Sequence, residues 1–327
     1  MDERLAAALD AAFTDREVTE LGSTGPSWND HNRTVRVEFA DGRAAYLKYA
    51  TDGDGSRVAR ERAVLEYVGA NSEVPVPTVL ASDADGTPLE RGDGAVPYLS
   101  TAPVRGANLL DRWSGASPDE RAALAWEVGA ALAGVHERRF DGHGHVVGGG
   151  AGGLELRTGP WTGVLVDKIG EMRAMAPADR FDHHFDEVAA AVEANRDLLD
   201  DAPAALLHGD TAQPNCFRGE SGVGFLDWEI AHVGDPARDL HRACDQQFGS
   251  LRGDAPEELT SALYEGYRER AGGLPDGYED RRPVYEAVRF LGTSGYVEKV
   301  AEYADEPVEE LAAWVDEEMD RRLAAIR

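Results

Sequence analysis

The sequence predicts an α+β fold in two lobes, a strand-rich N-terminal lobe followed by a mainly helical C-terminal lobe. Residues 1–104 contain short segments in which apolar and polar residues alternate, a pattern typical of half-buried strands. Most of residues 105–327 instead carry apolar residues at the spacing of amphipathic helices. Because strands come first and helices follow, the order favours the α+β class. We therefore place the boundary between the lobes near residue 104.

The N-terminal lobe is predicted to contain a strand hairpin. Its two alternating segments, TVRVEF and AAYLKY, are separated by a short stretch with Asp41-Gly42, a strong hairpin-turn signal. The elements expected in this lobe are a helix near 2–16, strands at 34–39 and 44–49, a helix near 57–70, and strands at 74–80 and near 96–101. Together they predict a small sheet accompanied by helices.

The C-terminal lobe is predicted to be built mainly from helices. They are expected near residues 117–138, 160–175, 181–200, 236–248, 255–272, 281–303 and 306–326. Short strand-like pieces fall between 204 and 229, and the glycine-rich stretch 142–153 is expected to be a loop.

The charge of the chain limits its partners. There are 61 acidic residues against 33 basic ones, a net charge of −28 spread along the whole length. Such a field repels nucleic acid and anionic membranes, so neither is expected as a partner. No segment approaches the roughly 18 to 20 apolar residues that cross a bilayer, and the acidic N-terminus does not resemble an export signal. The two cysteines, Cys216 and Cys244, form no metal-spaced cluster and suit a reducing compartment. We therefore expect a cytoplasmic protein.

Lysine is unusually rare. Only three of the 33 basic residues are lysine: Lys48, Lys168 and Lys299. Acid-rich, lysine-poor surfaces resemble those of proteins from salt-loving organisms, in which concentrated salt screens the repulsion between acidic side chains. We hypothesise a halophilic source, and we treat each retained lysine as informative.

The residues that carry chemistry are concentrated between 208 and 239. Asp210 and Asn215 flank a short loop, and Asp227 ends the next apolar strand, so a hairpin would return it beside them. Carboxylate and amide oxygens are the ligands that Mg²⁺ prefers. Any one of these residues alone is more commonly a turn former or a helix cap. The set at this spacing indicates an oxygen-rich metal pocket.

This run resembles the aminoglycoside phosphotransferase family, whose members have a protein-kinase-like fold. The resemblance rests on HGD at 208–210, Asn215 five residues later, DWE at 227–229, and GDP followed by DL at 234–240. Choline, fructosamine, homoserine and methylthioribose kinases are relatives within this family. The resemblance covers about residues 20–245. It departs from the common pattern at 211–214, where TAQP stands, but the spacing is kept.

The resemblance implies a role for each motif residue. Asp210 would orient the acceptor hydroxyl and take its proton, while Asn215 and Asp227 would hold Mg²⁺ that bridges the nucleotide phosphates. Three further residues would support the loop backbone and cap the following helix rather than act on substrate: His208, Asp235 and Asp239.

The N-terminal lobe offers a matching lysine and acid. Lys48 lies near the end of the second hairpin strand, where a kinase-like site holds the lysine that contacts the α- and β-phosphates. In the helix predicted next, Glu61 falls within the apolar stripe defined by Val58 and Leu65. Since a buried acid is costly unless it is paired, we expect an ion pair between Lys48 and Glu61.

Three more nucleotide contacts follow from the resemblance alone. Gly25 lies in a stretch of small residues that resembles the phosphate loop of the family, although a plain glycine-rich turn fits equally well. The segment TAPVRGANLL resembles the hinge that holds adenine, which implies base contacts from the Ala102 carbonyl and the Val104 N–H. Pro103 between them has no N–H to offer, but none is required there.

The predicted activity is transfer of the γ-phosphate of a Mg²⁺-bound nucleotide, ATP or GTP, to a hydroxyl of a small molecule. Two alternatives stay open. A metal-dependent phosphoesterase uses similar His-Asp-Asn clusters but leaves Lys48 and Glu61 without a role. A non-catalytic nucleotide-binding pseudokinase usually lacks the base, the metal-binding acid or the lysine, and this chain has all three. The sequence identifies neither the acceptor nor the oligomeric state.

We expect stability to depend on salt. Raising KCl from about 0.1 M to about 2 M shortens the Debye length from about 10 Å to below 3 Å, which screens the acidic surface. The midpoint of thermal unfolding, followed by circular dichroism, should rise by about 10 °C or more. Full folding and full activity in dilute buffer would contradict the halophilic hypothesis.

Overall fold

The structure, a computed structural model, describes residues 2–23, 31–88 and 95–327. Within these ranges a sheet-rich N-terminal part precedes a helical C-terminal part, so the predicted fold class is confirmed. None of the helices in the described ranges combines the length and the apolar character that spanning a bilayer would require.

The N-terminal part is an antiparallel sheet with two helices. Its elements are α1 (Glu3–Ala12), β1 (Val18–Ser23), β2 (Asn32–Phe39), β3 (Ala44–Ala50), α2 (Ser56–Asn71), β4 (Val79–Pro88) and β5 (Ala95–Thr101). The strand order across the described sheet is β1-β2-β3-β5-β4. Since β3 pairs with β2 on one edge and β5 on the other, its position is fixed from both sides.

Alternation along β3 separates the core from the site. Leu47 and Tyr49 are buried on one face, where they pack in a cluster with Leu9 and Phe13 of α1. Because successive side chains of a strand point to opposite faces, Lys48 lies on the other face of the sheet. That face is the one approached by α2, which provides an acid to Lys48.

The C-terminal part contains most of the helices. They are α3 (Leu109–Gly115), α4 (Pro118–His136), α5 (Trp161–Met175), α6 (Asp182–Ala194), α7 (Arg196–Leu199), α8 (Pro236–Phe248), α9 (Glu257–Ala271), α10 (Tyr278–Gly295), α11 (Val297–Ala304) and α12 (Val308–Ala324). The short strands are β6 (Ala107–Asn108), β7 (His143–Gly150), β8 (Gly153–Gly159), β9 (Ala205–Leu207), β10 (Cys216–Gly219), β11 (Gly222–Phe225) and β12 (His232–Gly234). They form two small sheets, in the orders β11-β10-β6 and β8-β7-β12-β9.

A hydrophobic core connects α2 to the C-terminal part. Val58 and Leu65 of α2 belong to the same buried cluster as Trp161 and Trp228. The helix that carries Glu61 is therefore held against the C-terminal part as well as against the N-terminal sheet.

The prediction of a loop at 142–153 is wrong. This stretch forms β7 and the turn into β8, and β7 also pairs with β12. Its glycines hide the strand pattern because they have no side chain to alternate. Gly144 shows why they are needed: an added Cβ would lie 2.7 Å from the Arg157 carbonyl oxygen of the paired strand.

Other elements also differ from the prediction: α3 was not expected, and the helix expected over 181–200 is divided at Asn195 into α6 and α7. Strand β1 was not expected, and the strand expected over 74–80 begins only at Val79. Pro75 and Pro77 precede it, and proline has no N–H to donate to a sheet ladder. The single helix expected over 281–303 is divided at Tyr296 into α10 and α11.

Close packing between α4 and α9 depends on two glycines. An added Cβ at Gly129 would lie 1.9 Å from the Leu263 carbonyl oxygen, and one at Gly266 would lie 2.0 Å from the Trp126 carbonyl oxygen. The backbones of the two helices therefore approach too closely for any side chain at these positions.

We expect Gly129→Ala to destabilise the fold. The added methyl group would force the two helices apart, at a cost of at least about 2 kcal/mol in the free energy of unfolding. Gly170→Ala is the matched control because it also lies within a helix, α5, but has nothing within 4 Å of an added Cβ. It should stabilise the protein by up to about 1 kcal/mol. Denaturant unfolding measures both values, and equal effects would contradict the packing argument.

Candidate active site

The loop after β9 is shaped by a buried aspartate on α8. The Asp239 carboxylate accepts hydrogen bonds from the backbone N–H groups of His208 (2.7 Å) and Gly209 (2.9 Å). Gly209 has a φ of +83°, in the left-handed region that favours glycine. Burial alone would raise the pKa of Asp239, but the hydrogen bond and charge of His136 hold it well below its usual range. The ionised carboxylate therefore fixes the backbone of the loop.

His208 and Asp235 also support backbone rather than face the cleft. His208 Nε2 bonds the Leu226 carbonyl at 2.9 Å, and its Nδ1 accepts from the Asp210 N–H at 3.1 Å. Asp235 caps α8 by accepting from the Ala237 N–H at 2.9 Å. These contacts agree with the supporting roles that the motif resemblance implied for His208 and Asp235.

Asp210 lies at the end of this loop with its side chain about a third exposed, at 32%. Asn215 Nδ2 donates to its Oδ2 at 2.9 Å and to its backbone carbonyl at 3.0 Å. Gln246 donates to Oδ1, and an Arg242 terminal nitrogen lies 3.6 Å from the same oxygen. Since the amide nitrogen of Asn215 is used in this way, its oxygen is available as a ligand.

The β10–β11 hairpin returns Asp227 to the site. The Leu226 N–H donates to the Asn215 carbonyl at 2.8 Å, which ties the residue before Asp227 to the residue at the other end of the hairpin. Asp227 has a φ of +61°, an uncommon conformation for a residue other than glycine. Strain of this kind concentrates at functional sites, where the surrounding structure holds it in place.

Lys48 joins the two parts of the chain at the site. Its Nζ lies 2.6 Å from Glu61 Oε2, 2.6 Å from Asp227 Oδ1 and 3.3 Å from Glu229 Oε2. Burial alone would lower the pKa of Lys48, but the three carboxylates raise it well above its usual value. We call Lys48, Glu61, Asp227 and Glu229 the Lys48 cluster.

Negative charge is in excess within the Lys48 cluster. One oxygen from each of Glu61, Asp227 and Glu229 lies within 4.8 Å of the others. The pKa of Glu61 is raised because burial outweighs the attraction of Lys48, and the pKa of Asp227 is raised by burial and by Glu229, against the same attraction. Oxygen ligands with uncompensated negative charge suit a hard divalent cation. The residues present thus fit a Mg²⁺ site.

Glu229 is the site residue that sequence reasoning missed. It is buried, and besides Lys48 it binds Asn32 of β2 at 2.7 Å and Arg57 of α2 at 2.9 Å. Burial alone would raise the pKa of Glu229, but the charges of Lys48 and Arg57 and the hydrogen bond from Asn32 hold it low, at about 2. The DWE motif contained the signal, but the partners lie more than 170 residues away in sequence.

The remaining predicted contacts are those of Gly25, Ala102 and Val104. Gly25 is outside the described residues. Ala102 and Val104 follow β5 directly, and the Ala102 N–H donates to the Thr78 carbonyl at 2.8 Å. Behind this segment Gly106 lies so close to β10 that an added Cβ would be 2.4 Å from the Arg218 carbonyl oxygen. The predicted base-binding segment is therefore held against both parts of the chain.

Comparison with known proteins assigns the family. A family model described as the phosphotransferase enzyme family matches residues 24–286, about four fifths of the chain. The chain belongs to the phosphotransferase enzyme family. No curated protein sequence matches it. The family and the kinase-like fold together make it a small-molecule phosphotransferase, as the motif resemblance predicted.

Solved structures show how far this phosphotransferase fold is shared. A thermostable mutant of aminoglycoside phosphotransferase APH(4)-Ia, in a ternary complex with ADP and hygromycin B, has a TM-score of 0.59, 14% identity, and coverage of 97% of this chain and 96% of that chain. A putative fructosamine-3-kinase from Thermobifida fusca has a TM-score of 0.60, 19% identity, and coverage of 98% and 99%. An aminoglycoside-3'-phosphotransferase of type VIII has a TM-score of 0.59, 19% identity, and coverage of 88% and 98%. At these identities the likeness shows the fold alone.

We expect Asp239→Asn to destabilise this phosphotransferase. The NH2 group of asparagine would replace one of the two carboxylate oxygens and turn a donor toward one backbone N–H, and the buried negative charge would be lost, at a cost of about 3 kcal/mol in the free energy of unfolding. Because the folded-state pKa of Asp239 lies below its unfolded value, its contribution is present above about pH 4 and is lost as pH falls through the folded pKa. Urea unfolding of the parent protein and of Asp239→Asn is measured at pH 7 and at pH 3. The difference between their free energies of unfolding should be smaller at pH 3.

Asp210→Asn is the control because Asp210 is partly exposed, and its carboxylate accepts from the side chains of Asn215 and Gln246 rather than from the backbone N–H groups that Asp239 binds. Its free energy of unfolding should stay within about 1 kcal/mol of the parent value. A loss as large as that of Asp239→Asn would show that the two aspartates do not differ in their structural role.

Proposed function

We propose that this phosphotransferase moves the γ-phosphate of a Mg²⁺-bound nucleotide, ATP in the first instance, to a hydroxyl of a small molecule. The observation that carries the proposal is the Lys48 cluster beside the loop of Asp210. A lysine paired with a helix acid, a metal-binding acid and a separate catalytic aspartate are the parts that kinase-like phosphoryl transfer requires. The contacts of Lys48 with Glu61 and Asp227, and of Asp210 with Asn215, support the proposal that all of these parts lie in one region.

Asp210 is proposed as the catalytic base. Its carboxylate is held by Asn215 and Gln246, yet about a third of it stays accessible to an acceptor. It would orient the acceptor hydroxyl and receive its proton as the oxygen–phosphorus bond forms and the bond to the leaving nucleotide breaks. Proton transfer to a positioned base of this kind typically raises the rate by about 10²- to 10⁴-fold.

Asn215 and Asp227 are proposed to hold Mg²⁺, with Glu229 close by. A bound Mg²⁺ supplies positive charge to the phosphates during transfer. Lys48 would then donate to the α- and β-phosphates, and Glu61 would keep its ammonium pointed toward them. In the structure Lys48 contacts Asp227 directly, so the lysine neutralises the acid that we assign to the metal.

The nucleotide base is proposed to bind the segment after β5. There the Ala102 carbonyl and the Val104 N–H would contact adenine, and Gly25 would approach the phosphates from the N-terminal part. The relative solved with ADP supports a nucleotide as co-substrate. The alternative of a metal-dependent phosphoesterase is less well supported, because hydrolysis by two metal ions does not require the Lys48–Glu61 pair.

We expect Asp210→Ala and Asp210→Asn to abolish transfer and leave nucleotide binding unchanged. Acceptor-stimulated ADP or GDP formation is measured in high-salt buffer with Mg²⁺ against aminoglycosides, choline, homoserine, fructosamines and sugars. Turnover should fall by about 10²- to 10⁴-fold because the base is lost. Glu257→Gln, an exposed acid on α9, is the control and should behave as the parent protein. Unchanged turnover in the Asp210 variants would refute the proposed function.

We expect Asp227→Asn to lose the dependence of nucleotide affinity on Mg²⁺. Asparagine tolerates the left-handed backbone at this position, so the variant removes charge without adding backbone strain. The stimulation of nucleotide binding by Mg²⁺, measured by calorimetry, should fall by about 10-fold or more. Stimulation equal to that of the parent protein would remove Asp227 from the proposed metal site.

A further inference from the structure

Arginine side chains lie close to Asp210. A small, partly open cavity between α8 and α10 is lined by Arg238, His241, Arg242, Tyr285, Val288 and Arg289. We call Arg238, Arg242 and Arg289 the arginine cluster. In a chain with a net charge of −28, three guanidinium groups around one cavity are the opposite of what the composition favours.

The carboxylates nearest to the arginine cluster are already engaged. Asp245 pairs with Arg289 at 2.7 Å, and Asp239 is used by His136 and by the loop amides. Near Arg242, Asp210 is therefore the acid that remains, and it is reached at 3.6 Å by one terminal nitrogen. The lining of the cavity thus presents three guanidinium groups and no carboxylate, while Asp210, Asp239 and Asp245 lie near these arginines outside the lining.

Arg242 has unused hydrogen-bonding capacity. Its Nε is enclosed, and no described residue accepts a hydrogen bond from it. Its side chain is 19% exposed, so the guanidinium is not shielded by solvent as a surface arginine would be. A planar guanidinium in this setting matches the paired oxygens of a carboxylate or phosphate.

Burial and the neighbouring arginines lower the pKa values of two groups that line the cavity. The pKa of Arg238 is lowered to about 10 by burial and by the charge of Arg242. The pKa of His241 is lowered to about 4 by burial and by neighbouring arginines, among them Arg289, although Asp245 opposes this. His241 therefore stays neutral at physiological pH and adds no charge of its own.

We infer that the arginine cluster is the subsite for an anionic group of the acceptor. The acceptor would be a small hydroxylated molecule that also carries a carboxylate or a phosphate. Arg242 and Arg289 would bind the anion, and the hydroxyl would reach Asp210, which lies beside Arg242. A polycationic acceptor would instead meet three guanidinium groups. This inference rests on the proposed function because it takes Asp210 as the group that receives the hydroxyl.

The competing explanation is that Arg242 only orients and neutralises Asp210. In that case its loss would slow transfer to every acceptor equally and would change kcat. Binding of an anion would instead appear in KM, and only for acceptors that carry the anion. The two explanations therefore differ in which acceptors and which kinetic constant are affected.

The first experiment compares acceptors in pairs that differ in an anionic group: glycerate against glycerol, gluconate against glucose, and homoserine against its methyl ester. Assays contain KCl and no sulfate or added phosphate. The parent protein should prefer the anionic member of a pair. Arg242→Gln and Arg289→Gln should each lower kcat/KM for that member by about 10- to 100-fold, mainly through KM, and change the neutral member by less than about 3-fold. Arg180→Gln, which removes an exposed arginine paired with Glu309, is the control and should match the parent.

A second experiment tests the anion subsite even if the protein phosphorylates no acceptor in these pairs. Inorganic phosphate is titrated into protein saturated with Mg²⁺ and AMP-PNP, so that the nucleotide site is filled, and the midpoint of thermal unfolding is recorded. Saturable stabilisation that is lost in Arg242→Gln and Arg289→Gln but kept in Arg180→Gln would support the subsite. Absence of stabilisation, or equal stabilisation in all variants, would overturn it.

The outcomes separate this inference from the proposed function. Preference for neutral or cationic acceptors, or equal losses on all acceptors in Arg242→Gln, would overturn the anion subsite while Asp210-dependent turnover still supported a kinase. Turnover that does not depend on Asp210 would overturn the proposed function itself, whatever the arginine variants show.

Discussion

A single ammonium group, Lys48 Nζ, holds together carboxylates from both parts of the chain. Glu61 comes from α2, and Asp227 and Glu229 follow β11 in the C-terminal part. Removing one partner of a buried ion pair leaves an uncompensated charge, which typically costs about 3–5 kcal/mol. Because β3 is paired on both edges and α2 shares the core of the C-terminal part, this contact joins elements that are each fixed independently. The orientation of the N-terminal sheet toward the C-terminal loops is thereby tied to the chemistry of the site.

The C-terminal part holds its loops with buried acids rather than with apolar packing alone. Asp239 binds two loop amides, and Asp235 caps α8 and pairs with the buried Arg281. These acids belong to the same short motif as Asp210, yet their contacts are entirely internal. Within one motif, therefore, accessibility separates a group that can reach substrate from groups that only hold backbone. Asp210 is partly exposed, whereas Asp239 and Asp235 have no exposed surface.

Charge is distributed in this protein at two different scales. Over the whole chain the acids outnumber the bases by 61 to 33, which affects solubility and the choice of partners. Beside Asp210 the local pattern differs, because the cavity of the arginine cluster is lined by three arginines and no carboxylate. The acidity of helices such as α9 therefore says little about the acceptor, since local charge at the site differs from the average charge of the surface.

The sequence by itself determined the fold class, the hairpin of β2 and β3, and the grouping of Asp210, Asn215 and Asp227, because these depend on residues close together in the chain. Alternation, turn signals and spacing express such local relations directly. Tertiary structure alone decided the strands in the glycine-rich stretch 142–153, the contacts of Glu229 with Asn32 and Arg57, and the approach of Arg242 to Asp210. In the first case close backbone approach selects glycine, which erases the alternation that marks a strand. In the others the partners are brought together by packing across long stretches of sequence, and no local pattern records which distant residue will complete a charged pair.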